Sequence, residues 1–211
     1  MIELKDVNKE FKKQMVIEQV SVTFEDNKIY GIVGYNGSGK TVILKMISGL
    51  LLPSSGSVIV NGKIIGKDRD FPENLGMIIE TPGFIPYLSG FQNLKNIAAI
   101  KGGCSREKIK ETIKKVGLDP KLKKPVSRYS LGMRQRLGIA QAIMEDPDIL
   151  LLDEPMNGLD QRGVEEIRRL LLSLKREGRT ILLCSHNALD IDLLCDQVYR
   201  VENKQLKLER G

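Results

Sequence analysis

The 211-residue chain predicts an α/β fold with an N-terminal antiparallel β-subdomain and an inserted α-helical subdomain. Three observations predict it. The runs 29–33 and 149–152 are apolar with no polar face, the pattern of strands in a sheet covered on both sides. Residues 2–7, with Ile2, Leu4 and Val7, and 16–24 alternate instead, as half-buried antiparallel strands do. Between 81 and 128 the spacing turns helical behind Pro82, Gly83 and Pro86. The chain therefore reads as one domain, 1–211, with a helical insertion at about 81–128.

Composition sets bounds. At 41% hydrophobic residues the chain can bury a sizeable core. No repeat or low-complexity segment interrupts it. The N-terminus has no long apolar segment of the signal-peptide kind, and no run approaches the ~20 apolar residues of a membrane span. The most apolar stretch, 42–52, is short and contains Lys45. A span, if the protein works at a membrane, is expected on another chain. Cys104, Cys184 and Cys195 are odd in number and lack metal-ligand spacing, which fits free thiols in a reducing compartment. The net charge is +6, with lysines crowded around 108–124. That crowding reads either as a solvated helical face or as a surface toward acidic lipid or nucleic acid.

The remaining elements follow in order. Asp26-Asn27 is turn chemistry ahead of the strand at 29–33. Residues 42–48 form a helix, and 53–56 break the chain. A strand at 58–60 enters a tight turn at Asn61-Gly62, and 76–80 is another short strand. Helices are expected near 91–101 and 105–116. Residues 130–144 form an amphipathic helix with Met133, Leu137, Ala140 and Met144 on one face. A further helix at 160–175 turns Val164, Ile167, Leu171 and Leu174 inward, and 180–184 is a buried strand. Residues 197–209 form a hairpin around Asn203-Lys204.

The chemistry concentrates in four segments. Gly34-Tyr-Asn-Gly-Ser-Gly-Lys-Thr41 matches G-x-x-x-x-G-K-[ST] between a strand and a helix. Gly34, Gly37 and Gly39, with Asn36 and Ser38 between them, let backbone N–H groups curl around phosphate oxygens at a helix N-terminus. Lys40 reaches the β- and γ-phosphates, and Thr41 holds Mg²⁺ through its hydroxyl. The run 147–155 ends in Asp153 and Glu154, placed for metal contact and for polarising a water. Ser130 and Gly132 open a helix whose N-terminus suits a terminal phosphate. A second phosphate-seeking terminus in one domain suggests a second nucleotide, bound across a dimer. His186, the single histidine, follows the strand 180–184 at the same sheet edge.

Taken together, these segments resemble the nucleotide-binding subunit of an ABC transporter over essentially the whole chain. GYNGSGKT resembles the Walker A loop and ILLLDEP the Walker B strand. YSLGM resembles the signature usually written LSGGQ, and 156–160, ending in Asp160, resembles the D-loop. His186 stands where the switch histidine belongs, and Phe11 resembles the aromatic that stacks on adenine. The resemblance implies a P-loop ATPase core, with ATP and Mg²⁺ as ligands. It implies an ATP-dependent head-to-tail dimer of two copies, separate transmembrane permease subunits, and a cytoplasmic location for this chain, peripheral at the cytoplasmic face of the cell membrane. Two departures from the pattern stand out, one in the signature and one at Glu80. Tyr129, Leu131 and Met133 replace the usual signature residues around Ser130 and Gly132. Glu80 replaces the usual Gln, as a further metal contact. Glu80 followed by Thr-Pro-Gly-Phe, with YSLGM downstream, looks most like the bacitracin and lantibiotic exporter and immunity branch. The competing reading is a non-transport ATPase of this fold acting on ribosomes or DNA. A single domain and a short insertion without heptads speak against it, so no nucleic-acid partner is expected. Of Phe84, Ile85, Tyr87, Leu88 and Phe91, the sequence leaves open whether they pack the insertion or face a membrane partner.

Overall fold

The computed structural model describes the backbone of residues 1–211 and every side chain except that of Lys101. β1 (Ile2–Phe11) and β2 (Gln14–Phe24) pair antiparallel in register Ile2↔Phe24. Their turn places Lys12 and Lys13 at φ 46° and 68°, the sense that matches strand twist in a hairpin. The chain continues through β3 (Ile29–Val33) and α1 (Lys40–Ile47), then returns as β4 (Ser55–Val60) and β5 (Lys63–Ile64). These build a four-stranded antiparallel sheet in the order β2-β1-β4-β5. Next come β6 (Leu75–Ile78), α2 (Gly90–Lys101), α3 (Arg106–Lys115), α4 (Leu131–Ile143) and β7 (Ile149–Asp153). α5 (Gln161–Arg176), β8 (Thr180–Cys184), α6 (Ala188–Leu194) and the hairpin β9 (Gln197–Glu202) with β10 (Gln205–Arg210) complete the chain.

The second sheet runs β10-β9-β3-β8-β7-β6 and is parallel except for its terminal hairpin. Its strands alternate between two cores. Leu150, Leu152, Ile181, Leu183 and Ile29 pack under α2 to α6, with Leu137, Ile139, Ile167 and Leu171. Ile149, Leu151, Leu182, Tyr30 and Ile32 pack toward α1 and the antiparallel sheet, with Ile43, Leu44, Val7 and Val20. Both faces of β7 and β8 are thus dry, which is why those runs carry no polar positions. Phe24 meets Tyr30 and Tyr199 edge-on at centroid distances of 4.9 and 5.4 Å, joining the two sheets. The inserted helices share the first core rather than owning one: Leu94, Ile109 and Ile113 belong to it.

Short polar side chains start most of the helices. Ser89, Ser105, Ser130, Asp160 and Asn187 each accept a backbone N–H of the following first turn, and Ser89 forms a full capping box with Gln92. Three of the differences from expectation bear on the site. α1 starts at Lys40, because the phosphate loop runs straight into the helix. β6 stops at Ile78, since Glu80 turns into the left-handed region at φ 64°. α6 occupies 188–194, where the sequence reading has no element. Seven residues interrupted by two aspartates are too few to show a helical period. The apolar residues of 84–91 divide: Phe84 and Phe91 pack against the core, while Ile85 and Tyr87 stay exposed, Tyr87 by 77%.

Candidate functional site

The C-terminal ends of β3, β7 and β8 converge, and each delivers functional side chains. Off β3 the loop 34–41 curls back on itself. Lys40 Nζ donates to Gly34 O at 2.8 Å and Tyr35 O at 3.0 Å, which folds the cation over the loop. Gly39 sits at φ 110°, where an added Cβ would stand 2.7 Å from Ile17 Cδ1, so β2 presses directly on the loop. Ser38 Oγ is buried without a hydrogen-bond partner in the chain. A buried hydroxyl in a ring of backbone N–H groups fits an anionic oxygen as its partner. Asn36, Gly37, Gly39, Lys40, Thr41, Asp153 and Glu154 line a cavity of about 330 Å³ together with Val16.

β7 brings the carboxylates. Thr41 Oγ1 donates to Asp153 Oδ2 at 2.6 Å, linking the first turn of α1 to the strand end. Glu154 lies at φ 50°, a left-handed backbone that a non-glycine residue keeps only when its surroundings hold it. Three contacts do so. Its N–H donates to Cys184 O at 2.9 Å, its carbonyl accepts from Gln135 Nε2 at 3.2 Å, and its Oε2 lies 2.8 Å from His186 Nδ1. β8 therefore supplies both the anchor of Glu154 and the histidine beside its carboxylate. Beneath them, burial first and the Asp153 carboxylate second push the Cys184 thiol well above its ordinary pKa, so it stays neutral.

The structure keeps Ser130, Gly132, Asp160 and Phe11 apart from this cluster. Ser130 caps α4 through Met133 N at 3.2 Å and is exposed; it does not line its own chain's loop cavity. An added Cβ on Gly132 would stand 2.8 Å from Gly158 O, so the start of α4 packs on the turn before α5. Asp160 accepts from Gly163 N at 2.8 Å as the cap of α5. Phe11 ends β1, 43% exposed, with Lys9 Nζ 5.0 Å from its ring centroid. Glu80 pairs with Lys45 Nζ at 2.5 Å. It shares a cavity of about 240 Å³ with Asp153, Glu154, Leu131 and Arg134.

Sequence reasoning missed Gln135 and Lys45. Nothing in a helix or strand pattern says that a glutamine five residues into one helix holds the carbonyl of Glu154 just past the following strand. The helix that Ser130 caps also carries Arg134 and Arg136 near its start, where a cation opposes the helix dipole. They are directed elsewhere: Arg134 to Tyr129 O at 3.1 Å, and Arg136 to Val116 O at 2.6 Å and Glu166 at 2.8 Å.

Comparison with known proteins agrees with this geometry. The family model for ABC transporters matches residues 17–157. The ABC transporter ATP-binding protein YybJ of Bacillus subtilis is 44% identical over 207 residues, 98% of this chain and 95% of that protein. The bacitracin transport ATP-binding protein BcrA of Enterococcus faecalis is 40% identical, covering 94% of this chain and 65% of its own length. The lantibiotic transport ATP-binding protein SrtF of Streptococcus pyogenes is 36% identical, over 100% and 90%. A dimeric ATP-binding cassette in a post-hydrolysis state with ADP and Pi superposes over 100% of this chain and 98% of its own, with a TM-score of 0.89 at 23% identity; it supports the fold. With the phosphate loop, the paired carboxylates and the histidine on one sheet edge, the chain belongs to the ABC transporter family, as an ATP-binding, ATP-hydrolysing subunit.

Proposed function

We propose that the cavity over the phosphate loop takes Mg²⁺–ATP and that Glu154 orients the attacking water. The observation that carries this is the shared edge on which Thr41 Oγ1 meets Asp153 Oδ2 while Glu154 meets His186. Backbone N–H groups of 36–41 and Lys40 bind the phosphates, and the Ser38 hydroxyl gains a partner. Thr41 and Asp153 are hard oxygen donors and suit Mg²⁺, which neutralises charge developing on the phosphates. Among the described residues no cluster of three or more His, Cys, Asp or Glu is arranged to hold a metal. Thr41 and Asp153 would hold the ion, and its remaining ligands would come from outside the chain. Glu154 accepts a proton from water as general base, with His186 fixing its carboxylate. Phe11 stacks on the adenine, and Asp160 and Glu80 stand at the rim.

Ser130 and Gly132 lie outside their own loop cavity, which supports a second copy as their route to a nucleotide. Two copies related by a two-fold axis use each patch twice. Loss of the bridging γ-phosphate then lets the pair relax. No helix of the described residues is long and apolar enough to cross a membrane. The transport role of the relatives supports permease subunits as partners, with this chain at their cytoplasmic face. The relatives active in bacitracin and lantibiotic transport point to a peptide antibiotic as cargo. Glu154→Gln tests the core of the reading. It should keep ATP affinity, slow hydrolysis on the order of a hundredfold or more, and trap a dimer with Mg²⁺–ATP in light scattering. Adding Ser130→Ala should weaken that dimer. Hydrolysis at the wild-type rate removes Glu154 from the base role, and a trapped dimer indifferent to Ser130→Ala removes the shared site.

A further inference from the structure

The excess charge of this protein has a single address. Residues 106–128 carry nine basic and three acidic side chains, a net +6, and the other 188 residues balance at 24 of each sign. α3 turns Ile109, Thr112 and Ile113 inward, so Lys110, Lys114 and Lys115 project outward. Lys121, Lys123 and Lys124 follow in the loop, also exposed. Of the lysines in this segment, Lys108 is tied to Asp146 at 2.7 Å; the other six make no ion pair among the described residues. Six lysines without an ion-pair partner in one stretch of chain raise the local positive potential, which favours an external polyanion.

A second feature lies against the first. Val126 N donates to Leu88 O at 2.8 Å and Ser127 N to Pro86 O at 2.9 Å. Those bonds lock the end of the lysine loop to the turn that bears exposed Ile85 and Tyr87. Lysines beside an exposed tyrosine and isoleucine match the composition of membrane interfaces, where cations meet anionic headgroups and amphipathic rings sit at headgroup depth. A nucleic-acid surface would explain the lysines but not the isoleucine beside them.

We propose that this face of the inserted helical segment docks on an anionic lipid surface, holding the subunit on the leaflet independently of its permease. The proposal takes the presence of a membrane from the transporter reading above, and the experiment separates the two. The 211-residue chain is sedimented with phosphatidylcholine vesicles containing about one quarter phosphatidylglycerol, and with phosphatidylcholine alone, at low and high salt. Binding should require phosphatidylglycerol and fall with salt. At roughly fivefold per lysine, Lys121→Gln, Lys123→Gln and Lys124→Gln together should weaken it on the order of a hundredfold. Tyr87→Ser should weaken it several-fold with the charge intact. ATP affinity of each variant, measured in parallel, should stay at the wild-type value and reports an intact fold. Equal binding to phosphatidylcholine alone, or wild-type binding by the triple variant, overturns the proposal. So does tighter binding of a short DNA duplex through the same lysines with no response to Tyr87→Ser, which would assign the face to nucleic acid. ATP turnover without vesicle binding sinks the lipid surface and leaves the transporter reading standing; vesicle binding without ATP turnover does the reverse.

Discussion

Lys40 and Glu80 show how differently two charges can serve one edge of a sheet. Lys40 is 8% exposed and already bonded to two loop carbonyls, so its charge is held where phosphate oxygens would arrive. Lys40→Ala should cost roughly 1.5–3 kcal/mol in ATP binding, a loss of about ten- to a hundredfold, and little in adenosine binding. Calorimetry with both ligands checks this. Glu80 is paired with Lys45, but the two side chains are 66% and 31% exposed, and such pairs contribute about 0–1 kcal/mol. Glu80→Ala should therefore shift stability by less than about 1 kcal/mol and leave ATP affinity within a few-fold. Its effect should appear only as lost stimulation of hydrolysis by the permease. A large fall in the denaturation midpoint, or normal stimulation, would contradict that assignment. The sequence placed both residues at the edge through motif and order. It could not show that Glu80 finds Lys45, because a partner 35 positions away on another element leaves no local trace.

At the scale of elements, α6 is what the sequence left unread and what His186 depends on. Arg168 on α5 donates from Nε at 2.8 Å and from Nη2 at 2.5 Å to Asp190 Oδ1, and Asp190 is 1% exposed. At the far end Arg210 of β10 donates to Ile191 O at 3.1 Å, which also accepts from Cys195 N, and to Cys195 O at 3.2 Å, just past the last turn. The helix is thus clamped at both ends, and its start fixes the segment carrying His186. Asp190→Ala strands the largely buried Arg168 charge and should destabilise by about 3–5 kcal/mol. Hydrolysis should fall with it while ATP binding persists, since the phosphate loop rests on β3, α1 and β2. Thermal unfolding read beside ATP affinity and turnover tests this; unchanged turnover would detach α6 from the site. By contrast α4 and α5 were legible, because thirteen and sixteen residues span enough turns for an apolar stripe to show.

The whole molecule is two cores back to back, and its alkaline stability follows from what lies in them. Burial pushes the Tyr30 hydroxyl up to about 12, from an ordinary value of 10.0. It pushes the Cys195 thiol up to about 12, from 9.0. The folded state keeps protons that the unfolded chain releases first. Stability is therefore whole below about pH 9 and falls as pH rises toward 12. The loss should be on the order of a few kcal/mol across that window. Urea unfolding at stepped pH measures it. Cys195→Ala should flatten the early part of the fall, and an unchanged slope would show that Cys195 is not responsible.

Local chemistry alone determined the phosphate loop, the strand-borne carboxylates, most helix starts and two of the three hairpin turns. Each is written in contiguous residues: glycines at fixed offsets, an apolar run ending in acids, a short polar cap, an Asn-Gly pair. The order of those pieces also identified the family. Tertiary structure alone decided which side chains hold Glu154 in its left-handed turn, where Lys45 and Arg168 find their partners, and which of Phe84, Ile85, Tyr87 and Phe91 reach solvent. It also decided that Ser130 stands outside its own chain's loop cavity. Those outcomes depend on contacts between elements far apart in the chain, and a pair that meets only after the sheet has closed leaves no periodicity or spacing to read beforehand.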